Sequence, residues 1–416
     1  MTNKFLKFKT RVNYWIPYLF LYFLSIPFLL IIRLLKFIFI IRIHHVGATR
    51  IGHFAGEMGM YFCMQKANLF KFKKKTVDIH FFNETCNHQL IKMVQRVLPL
   101  FFGRLMWPIY KANKSLNIRA FEEFKIEHRD TKNLLDKYPS SITFTEEEKY
   151  RGDKELEKLG VPKNAKIICF SVRDKAYLKD LYPDKDWSYH DYRDANIDNY
   201  VLATEELANR GYYVFRMGAK VLKPLRSQNP KIIDYALSNL RSEFLDIYIT
   251  SRSTFVLGQN MVINLGPWLF RKPMIQDNMI PVGLSPSYCK NFLVIPKKYF
   301  DETKKRELTL SEIAKLGLFY TTENKDFKKN GIKLIENSPE EIRDVCIEME
   351  EKLSGKLKYS QEDLNLQKNF WNNFKKNAQN NKDIRYGVLG TFEGCHGQLF
   401  GNYGKDFLKK NPNWLK

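Results

Sequence analysis

The chain has 416 residues, and among them there is no C-x-x-C pair, no H-E-x-x-H, and no glycine-rich loop that closes on the lysine of a P-loop. Its cysteines stand singly at 63, 86, 169, 289, 346 and 395. That scatter excludes a dense disulfide framework and fits buried thiols in a reducing compartment. Cys86 with His88 reads as structural, and no metal site is expected from the histidine and cysteine spacing. RNA-binding aromatic signatures and zinc-finger spacing are also missing, which lowers the case for a nucleic-acid partner, and there is no internal repeat of solenoid period. The first 45 residues contain no acid at all.

What the N-terminus does contain is Lys4, Lys7, Lys9, Arg11, Arg33, Lys36 and Arg42 around an uncharged run from Val12 to Ile32. A net charge of +23 would suit an anionic membrane, a nucleic acid or an anionic substrate. Basic flanks around an apolar run favour the membrane locally. The run is long enough to span a bilayer, which takes about 20 apolar residues. Pro17 and Pro27 interrupt it, however, and apolar character resumes after Lys36, so an anchor lying in the membrane plane competes with a span. Lys71, Lys73, Lys74 and Lys75 form a second basic cluster, either a solvated loop or a face toward anionic lipid.

Strand-like and helix-like patterns alternate through the rest of the chain. The first strand is expected over 37–43, a helix over 55–66 and a second strand over 76–82. A polar stretch from 113 to 165 leads to Gly160-Val-Pro162, which places a domain junction near residue 160. The rhythm then resumes with strand 166–172, helix 196–210, strand 212–217, helix 240–245, strand 253–258 and helix 261–270, a doubly wound α/β pattern. Ser or Thr ahead of Glu marks helix starts near Leu308–Ile313 and Glu336–Ile342. The Lys/Asn-rich stretch 355–385 reads as an exposed helix, and the glycine-rich His396–Gly404 as a turn.

Three strand ends carry the chemistry. Arg173 and Asp174 follow Lys-Ile-Ile-Cys-Phe-Ser-Val, Arg216 and Gly218 close the next strand, and Gly258-Gln259-Asn260 closes a third. Ligands of open α/β sheets bind outside the carboxyl ends of the strands, and a guanidinium there can grip a diphosphate through parallel hydrogen bonds. An Arg–Asp pair that merely closes the strand end would read the same. The loop Tyr189–Asn196, with Asp191 and Arg193, is a candidate lid, and Arg241, Ser242 and Asp246 precede the third strand. In the first half, His53 is placed to act as a base toward an acceptor hydroxyl, with Glu57 one helical turn on to orient it or to serve in its place; a satisfied structural histidine is the plainer alternative.

Taken in order, Arg50-Ile-Gly52-His53, Phe170-Ser-Val-Arg-Asp174, His190-Asp-Tyr-Arg193, Arg216-Met-Gly218, Ile233-Asp-Tyr-Ala236 and Arg241-Ser242 with Asp246 resemble a family of bacterial GT-B-type glycosyltransferases of surface polysaccharide pathways. The second half is also similar to the donor domain of GT-B fucosyltransferases. The resemblance implies two Rossmann-like domains facing a cleft, an acceptor domain and a donor domain; together with the residue patterns above, the expected division is a membrane-associating segment at 1–36, the acceptor domain at 37–160, the donor domain at 161–345 and a helical tail at 346–416 packing back on the first domain. It further implies a nucleotide-diphosphate-sugar donor held by Arg173, Asp174, Asp191, Arg193, Arg216, Gly218, Arg241, Ser242, Asp246, Gly258, Gln259 and Asn260. Arg50 and Gly52 would face a glycan or lipid-linked acceptor, with no cofactor and no metal. Ser171 stands where the fucosyltransferase pattern often has His, and Gln259-Asn260 replaces a Ser-Ser type pair, which bears on activity and donor preference. The expected protein is a glycosyltransferase at the cytoplasmic face of the inner membrane. An epimerase or polyol-phosphate transferase on the same fold, and a non-catalytic glycan-binding protein, are the alternatives.

Overall fold

The computed structural model describes residues 2–181, 183–259, 265–383, 385, 387 and 390–416. They form two compact units, Met1–Ile126 and Glu127–Lys416, so the division falls well before the junction expected near residue 160. Most of the polar stretch that suggested that junction, residues 127–165, belongs to the second unit, where helix Glu146–Lys158 packs against helix Glu243–Arg252.

The first unit opens with helix α1 (Thr2–Leu35) and strand β1 (Phe39–His45), continues through α2 (Ile51–Lys66), β2 (Lys75–Phe82), α3 (His88–Gln95), β3 (Leu100–Phe102) and α4 (Met106–Ser115), and ends in β4 (Phe121–Glu123). All pairings in its sheet are parallel, in the order β3-β2-β1-β4. β1 runs two residues past the expected strand and takes in His44 and His45, while α2 starts four residues early and encloses Gly52, His53 and Gly56. On one sheet face Ile43 and Phe81 pack with Leu29 and Ile32 of α1 and with Ala112 of α4.

The second unit centres on a seven-stranded parallel sheet built from β5 (Lys166–Ser171), β6 (Tyr212–Arg216), β7 (Ile232–Ile233), β8 (Ser253–Gly258), β9 (Met274–Met279) and β10 (Phe292–Pro296). A small antiparallel sheet of β11 (Lys298–Asp301), β12 (Arg306–Glu307) and β13 (Ile332–Ile335) follows, and β14 (Asn402–Tyr403) returns to the large sheet beside β10. The order is β14-β10-β9-β8-β5-β6-β7. Thr309 and Ser338 close capping boxes with Glu312 and Glu341, as the local pattern predicts.

Two expectations change here. Helix Glu243–Arg252 replaces the short helix expected over 240–245, because Ser242 accepts from Leu245 N and starts the helix after it. Helix Gln361–Gln379 is not merely an exposed helix: Phe370, Trp371 and Phe374 line one face and are buried in the second unit's core. The tail packs within the second unit, where β14 extends its sheet and Trp414, 1% exposed, joins its core. Burial of these aromatics is what holds it there.

Candidate functional site

In the second unit the chain leaves β5 for β6 and β7 on one side, then crosses back to β8, β9 and β10 on the other. The reversal lies between β5 and β8, and the carboxyl ends of strands at such a point form the ligand crevice of an open α/β sheet. Arg173 and Asp174 leave β5 there, Gly258 and Gln259 end β8, and Arg216 and Gly218 end the neighbouring β6. Gly258 has φ +136°, a conformation that L side chains rarely adopt. Asn260 lies outside the described residues.

The partners of these groups differ from the simple expectation that each faces a ligand. Arg173, with its side chain 8% exposed, pairs with Asp194 and places Nη2 3.0 Å from His190 Nδ1. Burial, with Arg193 nearby, pulls its guanidinium down to about 10. It therefore holds the 187–194 loop over the strand end. Arg216 is 1% exposed and donates from Nη1 to Asp234 (3.1 Å) and to Lys223 O (2.5 Å), tying the chain after β6 back on itself. Asp174 accepts from Ala176 N and Leu222 N, both at 2.8 Å, and so clamps the loops after β5 and β6 together. Asp191 is paired with Lys175 at 2.7 Å.

Gln259 belongs to the floor. Its Oε1 accepts from Arg173 N at 3.1 Å and its Nε2 donates to Tyr200 Oη at 2.6 Å, while Tyr200 donates to the fully buried Asp277. Asn278 Nδ2 also donates to Asp277 Oδ2, at 2.8 Å, and burial pushes the Asp277 carboxyl above the usual carboxylate range. A buried amide so fully used is a support for the crevice rather than a contact in it.

Arg193 is the exception. Its guanidinium stacks over Tyr192 at 5.7 Å, forms no ion pair among the described residues, and has Nε buried without a partner among them. Lys297, absent from the sequence-based set, follows β10 and is 3% exposed, with Nζ donating to Asp194 O at 2.6 Å. Burial pulls its ammonium down to about 8. The signal for it was available: Phe-Leu-Val-Ile-Pro-Lys297 is an apolar strand run ending in a cation, as at Arg173. Arg241 pairs with Asp246 at 2.7 Å beside the helix capped by Ser242, and burial pushes the Asp246 carboxyl up to about 6.

The first unit repeats the geometry, with its reversal between β1 and β4. At the end of β1, His44 Nε2 lies 2.7 Å from Glu57 Oε1, and Gly47 N donates to Glu57 Oε2 at 3.0 Å. The two oxygens of Glu57 thus serve His44 and Gly47, while His53, the base expected from the sequence, is exposed in the first turn of α2. In register across the strands, His44 Nδ1 meets His80 Nδ1 at 3.2 Å, and His80 Nε2 meets Tyr61 Oη at 3.3 Å. Burial pulls His80 down to about 4, so it is neutral at neutral pH. Glu57, its side chain 21% exposed, ends a buried line of polar groups with its open side to solvent. Arg50 precedes α2 without a side-chain cap bond, and Gly52 lies in its first turn.

The sequence matches no protein-family model and no curated protein. Among solved structures it is similar to a glycosyl transferase family 9 protein from Veillonella parvula, at 10% identity and a TM-score of 0.38 over 62% of this chain and 85% of that one. It is also similar to the E. coli ADP-heptose lipopolysaccharide heptosyltransferase II, at 10% identity and a TM-score of 0.32 over 62% and 90% of the two chains. A third likeness, to the iron-containing heptosyltransferase TibC in complex with ADP-D-beta-D-heptose, has 13% identity and a TM-score of 0.26 over 58% and 59%.

Proposed function

We propose that the chain is a glycosyltransferase that takes a sugar from a nucleotide-diphosphate donor, with the donor diphosphate bound at the β5/β8 strand ends of the second unit. The observation that carries this reading is the cation arrangement at the topological switch point: Arg173 and Lys297 hold the 187–194 loop, and the same loop carries Arg193 without an ion partner among the described residues. A guanidinium so placed binds a diphosphate through parallel hydrogen bonds, and it stabilises the charge that grows on that group as it leaves.

In the transfer, the acceptor oxygen bonds to the anomeric carbon while the bond from that carbon to the diphosphate oxygen breaks. The acceptor proton goes to a carboxylate, for which Glu57 is suited because His44 and Gly47 fix its orientation. Charge on the leaving diphosphate is met in this reading by side chains and not by a metal ion. The acceptor is a glycan, carried on a lipid in surface polysaccharide synthesis, and the protein works at the cytoplasmic face of the inner membrane.

The test is a thermal-shift series with UDP, GDP, CDP and ADP and their sugars, with Arg193→Ala as control. A ligand at about a hundredfold excess over its Kd adds roughly 2.7 kcal/mol. One nucleotide class should shift the parent and leave Arg193→Ala unshifted, and its sugar should be turned over. Absence of any shift would remove the donor site, and a shift without turnover would favour a glycan-binding protein.

A further inference from the structure

From Tyr18 to Leu35, the buried and half-buried residues of α1 recur at helical spacing: Tyr18, Leu21, Tyr22, Ser25, Ile26, Leu29, Ile32 and Leu35, with Lys36 just beyond the helix end. This stripe packs on the first unit. Leu29 and Ile32 lie in the core with Ile43 and Phe81, Tyr22 Oη meets Ser115 Oγ at 2.5 Å, and Lys36 Nζ reaches Glu122 at 2.5 Å and Arg119 O at 3.0 Å. The opposite side of the same helix is apolar and bare: Phe20, Phe23, Leu24, Phe28, Ile31 and Leu34 are 55–73% exposed.

These facts decide between a helix that crosses a bilayer and one that lies in it. The most apolar window is Pro17–Leu35, but Tyr22 onward is fixed to the first unit and cannot enter a membrane alone without opening that core. Ahead of Tyr22 the uncharged run offers Val12 to Leu21, roughly 15 Å of helix, about half the thickness of a bilayer core. A continuous apolar face beside a covered one is the geometry of a helix lying along the interface.

The surroundings supply the charge. Lys74 Nζ donates to Lys36 O at 3.1 Å, which brings the basic loop 71–75 to the end of α1. Lys71, Lys73, Lys74 and Lys75 are exposed and form no ion pair among the described residues, and Phe37 and Phe72 stand bare beside them at 72% and 50% exposure. Lysines interleaved with exposed aromatics suit an anionic headgroup layer.

We propose that the first unit docks in the plane of an anionic bilayer through the outer face of α1 and the 71–75 loop, without crossing it. The inference rests on the membrane association included in the proposed function and fixes its geometry. The full chain should co-sediment with phosphatidylcholine vesicles containing phosphatidylglycerol and much less with phosphatidylcholine alone. Phe23→Ser with Phe28→Ser should lower the bound fraction about tenfold, and Lys73→Glu with Lys74→Glu should abolish the preference for phosphatidylglycerol. In a Cys86→Ser background, cysteines introduced as Asn3→Cys and Lys73→Cys should be labelled by a membrane-impermeant maleimide from the same side of sealed vesicles.

Labelling from opposite sides would mean that α1 spans and would overturn the proposal. So would unchanged vesicle binding in the Phe23/Phe28 variant, or a dimer that forms through this face and ignores vesicles. These side chains are exposed, so the variants should keep the parent's melting temperature and its nucleotide shift in detergent. Loss of vesicle binding in the parent with that shift intact would sink the docking alone; docking without any nucleotide shift would sink only the donor reading.

Discussion

Replacing Asp234 by alanine strands the guanidinium of Arg216 in a site where that arginine is 1% exposed. Removing one partner of a buried pair costs about 3–5 kcal/mol, because a charge stays behind without compensation. Asp234 is 19% exposed and Arg216 keeps its bond to Lys223 O, so the low end, about 3 kcal/mol, applies. Leu225 N loses its acceptor as well. At roughly 2 °C per kcal/mol for a large domain, Asp234→Ala should melt about 6 °C below the parent. The double variant Arg216→Met/Asp234→Leu removes both charges and should lose less than Asp234→Ala alone.

Thermal unfolding followed by far-ultraviolet circular dichroism, beside a nucleotide titration, reads both consequences. If Arg216 is structural, stability falls in Asp234→Ala and nucleotide affinity changes little once the protein is folded. The opposite pattern, a melting point within about 1 °C of the parent with nucleotide affinity down about tenfold, would refute the reasoning and return Arg216 to the ligand.

The remaining predictions concern the two strand-end sites. The folded-state value of about 8 for Lys297 lies below the 10.5 of a free lysine, so between those values the unfolded chain binds more protons and stability rises with pH. The rise is on the order of 3 kcal/mol, and comparison of urea midpoints at either end of that window should show it in the parent and not in Lys297→Met. Glu57→Gln should cut turnover by about a hundredfold or more with donor affinity unchanged, and His53→Ala by less than about tenfold; the reverse order would give the base role to His53. Gly47→Ala would put a Cβ 2.9 Å from Glu57 Oε2 and displace that carboxylate, so turnover should fall while the melting temperature barely moves; unaltered turnover would show that the Gly47–Glu57 contact does not matter.

The strands β5, β6 and β8, and hence the edge at which Arg173, Arg216 and Gln259 stand, were legible in the sequence because a buried parallel strand is an apolar run with a sharp polar end. The internal bonds of those residues were not, because they depend on partners far along the chain. Arg173 meets Asp194 and Arg216 meets Asp234, 21 and 18 residues on, and no local periodicity encodes either pairing. His44 and His80 come together only through the register of β1 and β2, 36 residues apart. A guanidinium already matched to an internal carboxylate offers a diphosphate less than one that is not, since binding must then compete with the internal pair. In the proposed donor reading, Arg193, which forms no ion pair among the described residues, therefore takes the central place that the sequence pattern gives to Arg173.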